Sequence, residues 1–120
     1  MSAQPSALEA VARIARDVAA PNADSVDREA RFPVEAIDAL KKAKLMSALV
    51  PQKDGGLGAG MGDLAAMCET LGAACSASAM VFAMHQIQVA SILRHAAHQP
   101  YYRGYLVDLV EKQPLLASAT

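Results

Sequence analysis

Cys75-Ser76-Ala77-Ser78-Ala79-Met80-Val81-Phe82-Ala83-Met84-His85-Gln86-Ile87-Gln88-Val89-Ala90-Ser91-Ile92-Leu93 is the stretch whose reading decides the fold. It is apolar on nearly every side at helical spacing, and a helix of that kind has to be buried all round. The polar side chains His85, Gln86 and Gln88 inside it then need a hydrogen-bond partner or a ligand. We place this helix from Ser76 or Ser78, with a serine as its cap, to about Ala97. At about 100° per residue, Val81, Phe82, His85, Gln88, Val89 and Ile92 share one face, and Met80, Ala83, Met84, Ile87 and Leu93 share the other.

Upstream lies a glycine-rich loop, Asp54-Gly55-Gly56-Leu57-Gly58, part of a run of five glycines between Gly55 and Gly62. No Walker lysine follows it and its spacing does not fit a dinucleotide fingerprint after a strand, so a tight surface turn is expected rather than a phosphate cradle. Asp63 then opens a helix to about Ala74 with Leu64, Met67, Cys68 and Leu71 inward. Further back, Leu8, Val11, Ile14, Ala15 and Val18 predict a helix over about Ser6 to Ala20, with Ser6 as cap and Pro21-Asn22 as its stop. Asn22 to Arg31 follows no clear period. Pro33 starts a helix to about Ala43 with Val34, Ile37 and Leu40 in one stripe, and Leu45 to Val50 is an apolar run that Pro51 forces out of any helix. Downstream, Pro100 begins a helix with Tyr102, Leu106, Leu109 and Val110 inward that ends before Pro114, and Leu115 to Thr120 reads as the start of a strand. The element pattern is all-α, an up-and-down helical bundle.

Composition agrees with close-packed helices. The 120 residues are 53% hydrophobic, 19% charged and 4% aromatic, which suits one domain cored by Ala, Leu, Val, Ile and Met. Eleven basic against twelve acidic residues, with no Lys/Arg block, exclude a nucleic-acid partner. The longest apolar stretch, Ala73 to Ala83, is too short to span a bilayer, and Glu9, Arg13, Arg16 and Asp17 interrupt any secretory signal, so no membrane role and a cytoplasmic location are expected. Cys68 and Cys75 match neither a zinc set nor a disulfide framework and are expected to be buried thiols. Ser76 and Ser78 lack the neighbouring base that a nucleophile needs. His95 and His98 with Glu111 are surface residues rather than metal ligands.

Arg31-Phe32-Pro33, Leu40 to Val50 with Pro51, Gly55-Gly56-Leu57-Gly58, Glu69-Thr70-Leu71-Gly72 and Cys75-Ser76-Ala77-Ser78 together resemble the N-terminal helical domain of the acyl-CoA dehydrogenase superfamily. The resemblance covers the whole chain but only the first third of such an enzyme. It implies that residues 1–114 form the helical domain and 115–120 the start of a β-barrel domain. It further implies FAD as cofactor, an acyl-CoA thioester as substrate, an electron-transfer acceptor as partner, and homo-oligomers at full length. In the family a carboxylate removes the α proton while hydride passes from the β carbon to the flavin. That base and most flavin contacts come from the later domains, so the resemblance implies no catalytic, cofactor-binding or metal residue here and an inactive fragment. The fourth helix lines the acyl cavity in the family, and alignment on Cys75-Ser76-Ala77-Ser78 puts the pocket positions on Val81, Phe82, His85 and Val89.

His85 departs from a plain fatty-acyl pocket. Either neighbouring polar groups satisfy it as a structural residue, or it meets a polar substrate or an oxygenated flavin, as in the flavin monooxygenases that share the fold. A stand-alone helical packing module without chemistry is the further alternative.

Overall fold

The computed structural model describes residues 5–119, with side chains from Ala7 onward. Six helical segments follow one another: α1 (Pro5–Ile14), α2 (Ala20–Glu29), α3 (Val34–Lys42), α4 (Met61–Ala74), α5 (Ser76–His95) and α6 (Pro100–Lys112). A π turn, Ala15–Ala19, joins α1 and α2 into one rod, so the architecture is five helical rods with no strand among the described residues. The Cα radius of gyration, 13.9 Å, is that of a single compact unit.

Pro21 does not stop the first helix. Proline has no amide hydrogen and its ring clashes with the carbonyl four residues back. The π turn removes the conflict by widening the ladder just before it: the Ala20 amide reaches back to the Ala15 carbonyl, and Asn22 Nδ2 donates to the Val18 carbonyl at 2.8 Å. Helix therefore continues through Asn22–Glu29, the stretch without clear period. It ends where Ala30 turns left-handed at φ 50°, with the Ala30 and Arg31 amides donating to the Asp27 and Val26 carbonyls. Arg31 then braces the corner into α3, its Nη1 on Glu35 Oε1 at 2.9 Å and its Nε on Ser25 Oγ at 2.9 Å. The Ser6 cap falls on a side chain outside the described residues.

Stripes at helical spacing build the main core: Val11, Ile14, Ala15 and Ala19 from the first rod, Ile37 and Leu40 from α3, Leu64, Met67 and Leu71 from α4, and Phe82 from α5. A smaller cluster of Val50, Val89 and Leu109 docks α6 on the far half of α5. α4 and α5 form a tight hairpin joined by Cys75 alone, with Gly72 facing Ala79 across it, where a Cβ would sit in ordinary contact at 3.5 Å. Cys75, extended at φ −158°, is the residue that precedes α5, so neither serine caps it. Ser78 is instead buried with its hydroxyl unpartnered among the described residues. Asp63 does serve the start of α4, its Oδ2 accepting the Gly60 amide at 3.0 Å.

Two further expectations change. α5 is 20 residues long and, by length and composition, apolar enough to cross a membrane, because the helix runs on well past the apolar stretch Ala73 to Ala83. Within the fold one face of it packs on α4, α2, α3 and the Leu45–Ser47 turn. Leu115 to Ala119 forms no strand; a strand needs a neighbour to share its ladder, and the described residues offer none.

The glycine loop is a closed turn. Its amides return to the chain itself, Gly56 to the Pro51 carbonyl, Gly58 to Val50 and Ala59 to Ala48, which leaves no nest of free donors for a phosphate. Gly58 adopts φ 68°, and a Cβ on Gly56 would lie 2.1 Å from the Val50 carbonyl oxygen. Gly56→Ala is accordingly expected to lose more than about 3 kcal/mol in urea unfolding, because backbone and not a flexible side chain must move. Gly62→Ala, with nothing within 4 Å of the new methyl, should stay within about 0.5 kcal/mol of the parent.

Candidate functional site

Two polar residues of α5, His85 and Gln86, are explained by a short stretch packed against them. Leu45–Ser47 is a single 3-10 turn whose three residues are all buried, entered through Lys44 at φ 62°. Backbone groups taken from water need other partners, and here side chains supply them. His85 Nε2 lies 2.7 Å from the Met46 carbonyl oxygen, Gln86 Nε2 donates to the Leu45 carbonyl at 2.9 Å, and the Met46 amide donates to Gln113 Oε1 at 2.9 Å. Gln113 Nε2 in turn donates to Ser47 Oγ at 2.8 Å and to the Val110 carbonyl at 2.9 Å. Lys44 Nζ closes the end of α6 from outside, 3.3 Å from the Glu111 carbonyl. Gln113 had no signal in the sequence beyond its place before Pro114. It reaches the turn only because it stands left-handed at φ 54° at the end of α6.

The second nitrogen of His85 is also engaged: the Leu116 amide donates to Nδ1 at 3.0 Å. An amide can only donate, so Nδ1 carries no hydrogen and Nε2–H is the donor to Met46. The ring is thus a neutral imidazole of defined tautomer. Burial lowers its proton affinity, against the raising effect of the Met46 bond, and Lys41 lowers it further.

Of the four expected pocket residues, Phe82, His85 and Val89 have no exposed surface and face the interior of this domain, and Val81 is half-buried. Phe82 belongs to the main core, with Val81 packed against it, and Val89 belongs to the smaller cluster. The face of α5 turned to solvent is the other one, where Met80, Met84 and Ile87 are 62%, 44% and 52% exposed. At spacings of four and three residues they form one apolar stripe two turns long. A cleft of about 660 Å³ opens elsewhere, between the loop after Pro51 and the ends of α5 and α6, with Leu49, Leu93 and Leu106 inside and Lys53 and Arg103 on its rim. His95 and His98 are exposed, and the described residues include no cluster able to hold a metal ion. Cys68 and Cys75 are free thiols, Cys75 buried and Cys68 partly so.

Two outcomes follow for His85. His85→Phe strands the Met46 carbonyl and the Leu116 amide, and should cost about 2–4 kcal/mol in chemical denaturation. Because the folded ring takes up a proton less readily than the unfolded one, whose value is near 6.5, stability is full above that pH and falls as the solution is acidified through and below it. The slope from this one group cannot exceed about 1.4 kcal/mol per pH unit, and melts across that window measure it.

Comparison with known proteins fits this geometry. The chain shares 33% identity over 69 residues with the 3-sulfinopropanoyl-CoA desulfinase of Paraburkholderia xenovorans (strain LB400), a stretch that is 58% of this chain and 18% of that protein. The chain thus spans less than a fifth of that relative's length. No solved structure gives a significant match. The family model for the acyl-CoA dehydrogenase N-terminal domain matches residues 2–113, and with the five-rod all-α fold this establishes that the chain belongs to the acyl-CoA dehydrogenase family as its N-terminal domain.

Proposed function

We propose that this chain forms the helical wall of the acyl-binding cavity in an FAD-dependent acyl-CoA dehydrogenase that carries out α,β-dehydrogenation of an acyl-CoA thioester. The exposed stripe Met80, Met84 and Ile87 carries the reading. Three large apolar side chains in a line on a solvent-facing helix suit an acyl chain laid along them once further domains close the cavity. The pocket role expected for Phe82, His85 and Val89 becomes support from behind: they hold α5 rigid and set which side it presents.

The chain's own residues would bind the acyl chain, orient it and exclude water, which hydride and proton transfer both require. The family normally uses FAD, which supplies the hydride acceptor. The described residues do not by themselves fit that group, since the free face of α5 offers methyls and thioethers in place of hydrogen-bond donors. Flavin contacts, the catalytic carboxylate, the electron-transfer acceptor and the oligomer interface are assigned to the later domains of the family. The free thiols support a reducing, cytoplasmic setting.

The relative is named for a desulfinase acting on a CoA thioester, which supports the thioester class and leaves the reaction to the assay. The monooxygenase reading rested on His85 meeting an oxygenated flavin. With both ring nitrogens committed inside the domain, nothing here favours it.

In the complete enzyme, Met84→Trp or Ile87→Trp should lower kcat/KM for a long acyl-CoA about tenfold or more, while a short one changes by less than about threefold. Equal effects on both lengths would remove the stripe from the cavity. Desulfination of 3-sulfinopropanoyl-CoA without reduction of an electron acceptor would replace the dehydrogenase assignment.

A further inference from the structure

The segment that follows α6 is fastened to the bundle in an unusual way. Residues 114–119 have no regular structure, and Leu115 and Leu116 are half-buried against the two cores. Among the described residues, the Leu116 amide on His85 Nδ1 is the only hydrogen bond that ties 114–119 to the rest of the chain. The acceptor is an imidazole nitrogen, whose character is reversed by a proton.

We propose that His85 is a proton-controlled latch: the neutral ring holds residues 115–119 against α5 through the Leu116 amide, and the protonated ring releases them. Protonation puts a hydrogen on Nδ1, so two donors face each other at a separation of 3.0 Å. Nε2–H keeps its bond to the Met46 carbonyl in both states, which pins the ring and prevents it from rotating away from the conflict. The segment therefore gives way before the turn does. Leu115 and Leu116 retain their apolar contacts, so the released state is a loosened segment on an intact bundle.

The surroundings set where the latch acts. From α3, Lys41 acts on the ring and opposes a second positive charge. The Leu45–Ser47 turn and residues 113–119 carry no titratable side chain. On α4, Glu69 is exposed and the half-buried Cys68 thiol is held protonated by burial; on α2, Asp24, Asp27, Arg28 and Glu29 are exposed. Arg94 and His95 lie exposed at the far end of α5, and Lys44 is directed to the end of α6. No carboxylate faces the ring to favour the charged form, and burial lowers its proton affinity, so release belongs on the acid side of the ordinary histidine value of 6.5. This inference concerns the bundle alone and stands whether or not the acyl-cavity reading holds.

The test is NMR of the protein through an acid titration, following the His85 ring nitrogens and, by amide exchange, the protection factor of Leu116 relative to its intrinsic rate. Expected are an Nε2–H tautomer at neutral pH and a Leu116 protection that falls about tenfold as His85 titrates, while core amides such as those of Leu40 and Leu71 keep theirs. His85→Asn, whose amide oxygen stands near the Nδ1 position, should retain Leu116 protection and make it insensitive to pH. His85→Gln, which can reach the Met46 carbonyl, should lose it at every pH. An Nδ1–H tautomer, a Leu116 protection unchanged across the titration, or a ring that stays neutral until the whole bundle unfolds would each overturn the latch, and the wild-type titration decides even if both variants fail to fold.

Discussion

A turn without access to water is the constraint on which this structure depends. Leu45, Met46 and Ser47 bury their backbone in the middle of the bundle, and a buried amide or carbonyl without a partner costs on the order of 1–3 kcal/mol. Helices cannot satisfy these groups, because a helix spends its own backbone bonds internally. The chain meets the demand with side chains from two separate places: His85 and Gln86 on α5, and Gln113 just past α6. The three bonds hold α5, α6 and the turn together in one polar network, and apolar packing fills the space around it.

This network determines which face of α5 is inside. Once His85 and Gln86 are directed at the turn, Phe82 and Val89 are carried into the core by helical spacing, and Met80, Met84 and Ile87 are left on the outside. A sound hydrophobic core on one side and an exposed apolar stripe on the other are thus two consequences of the same rotation about the helix axis. On the acyl-cavity proposal, polar side chains held inside the bundle set which apolar surface α5 presents. One unsatisfied detail remains in the network, the buried Gln86 Oε1, which has no partner among the described residues.

The first rod shows a different solution to a similar problem. Proline at position 21 breaks the hydrogen-bond ladder, and the break is absorbed by a π turn and by the Asn22 side chain, so helix persists across a sequence that carries both a proline and a run of charges. The corner that follows is closed by Arg31, which bonds to both helices it joins.

The positions of α1 and of α3 to α6, the glycine loop and family membership were legible in the residues alone, because hydrophobic period and Gly and Pro placement act over a few positions; α2 was not, because the charged run behind Pro21 carries no period. Pro33 and Pro100 starting helices, the closed turn after Pro51 and the separation of α5 into two faces all belong to that local class. What the sequence could not decide was which of those two faces is buried, since both are apolar and periodicity is symmetric between them. That choice was made by hydrogen bonds between residues about 40 and 67 positions apart, from Gln86 to Leu45 and from Met46 to Gln113. Such bonds leave no local pattern, and only the packed chain brings the donor and the acceptor together.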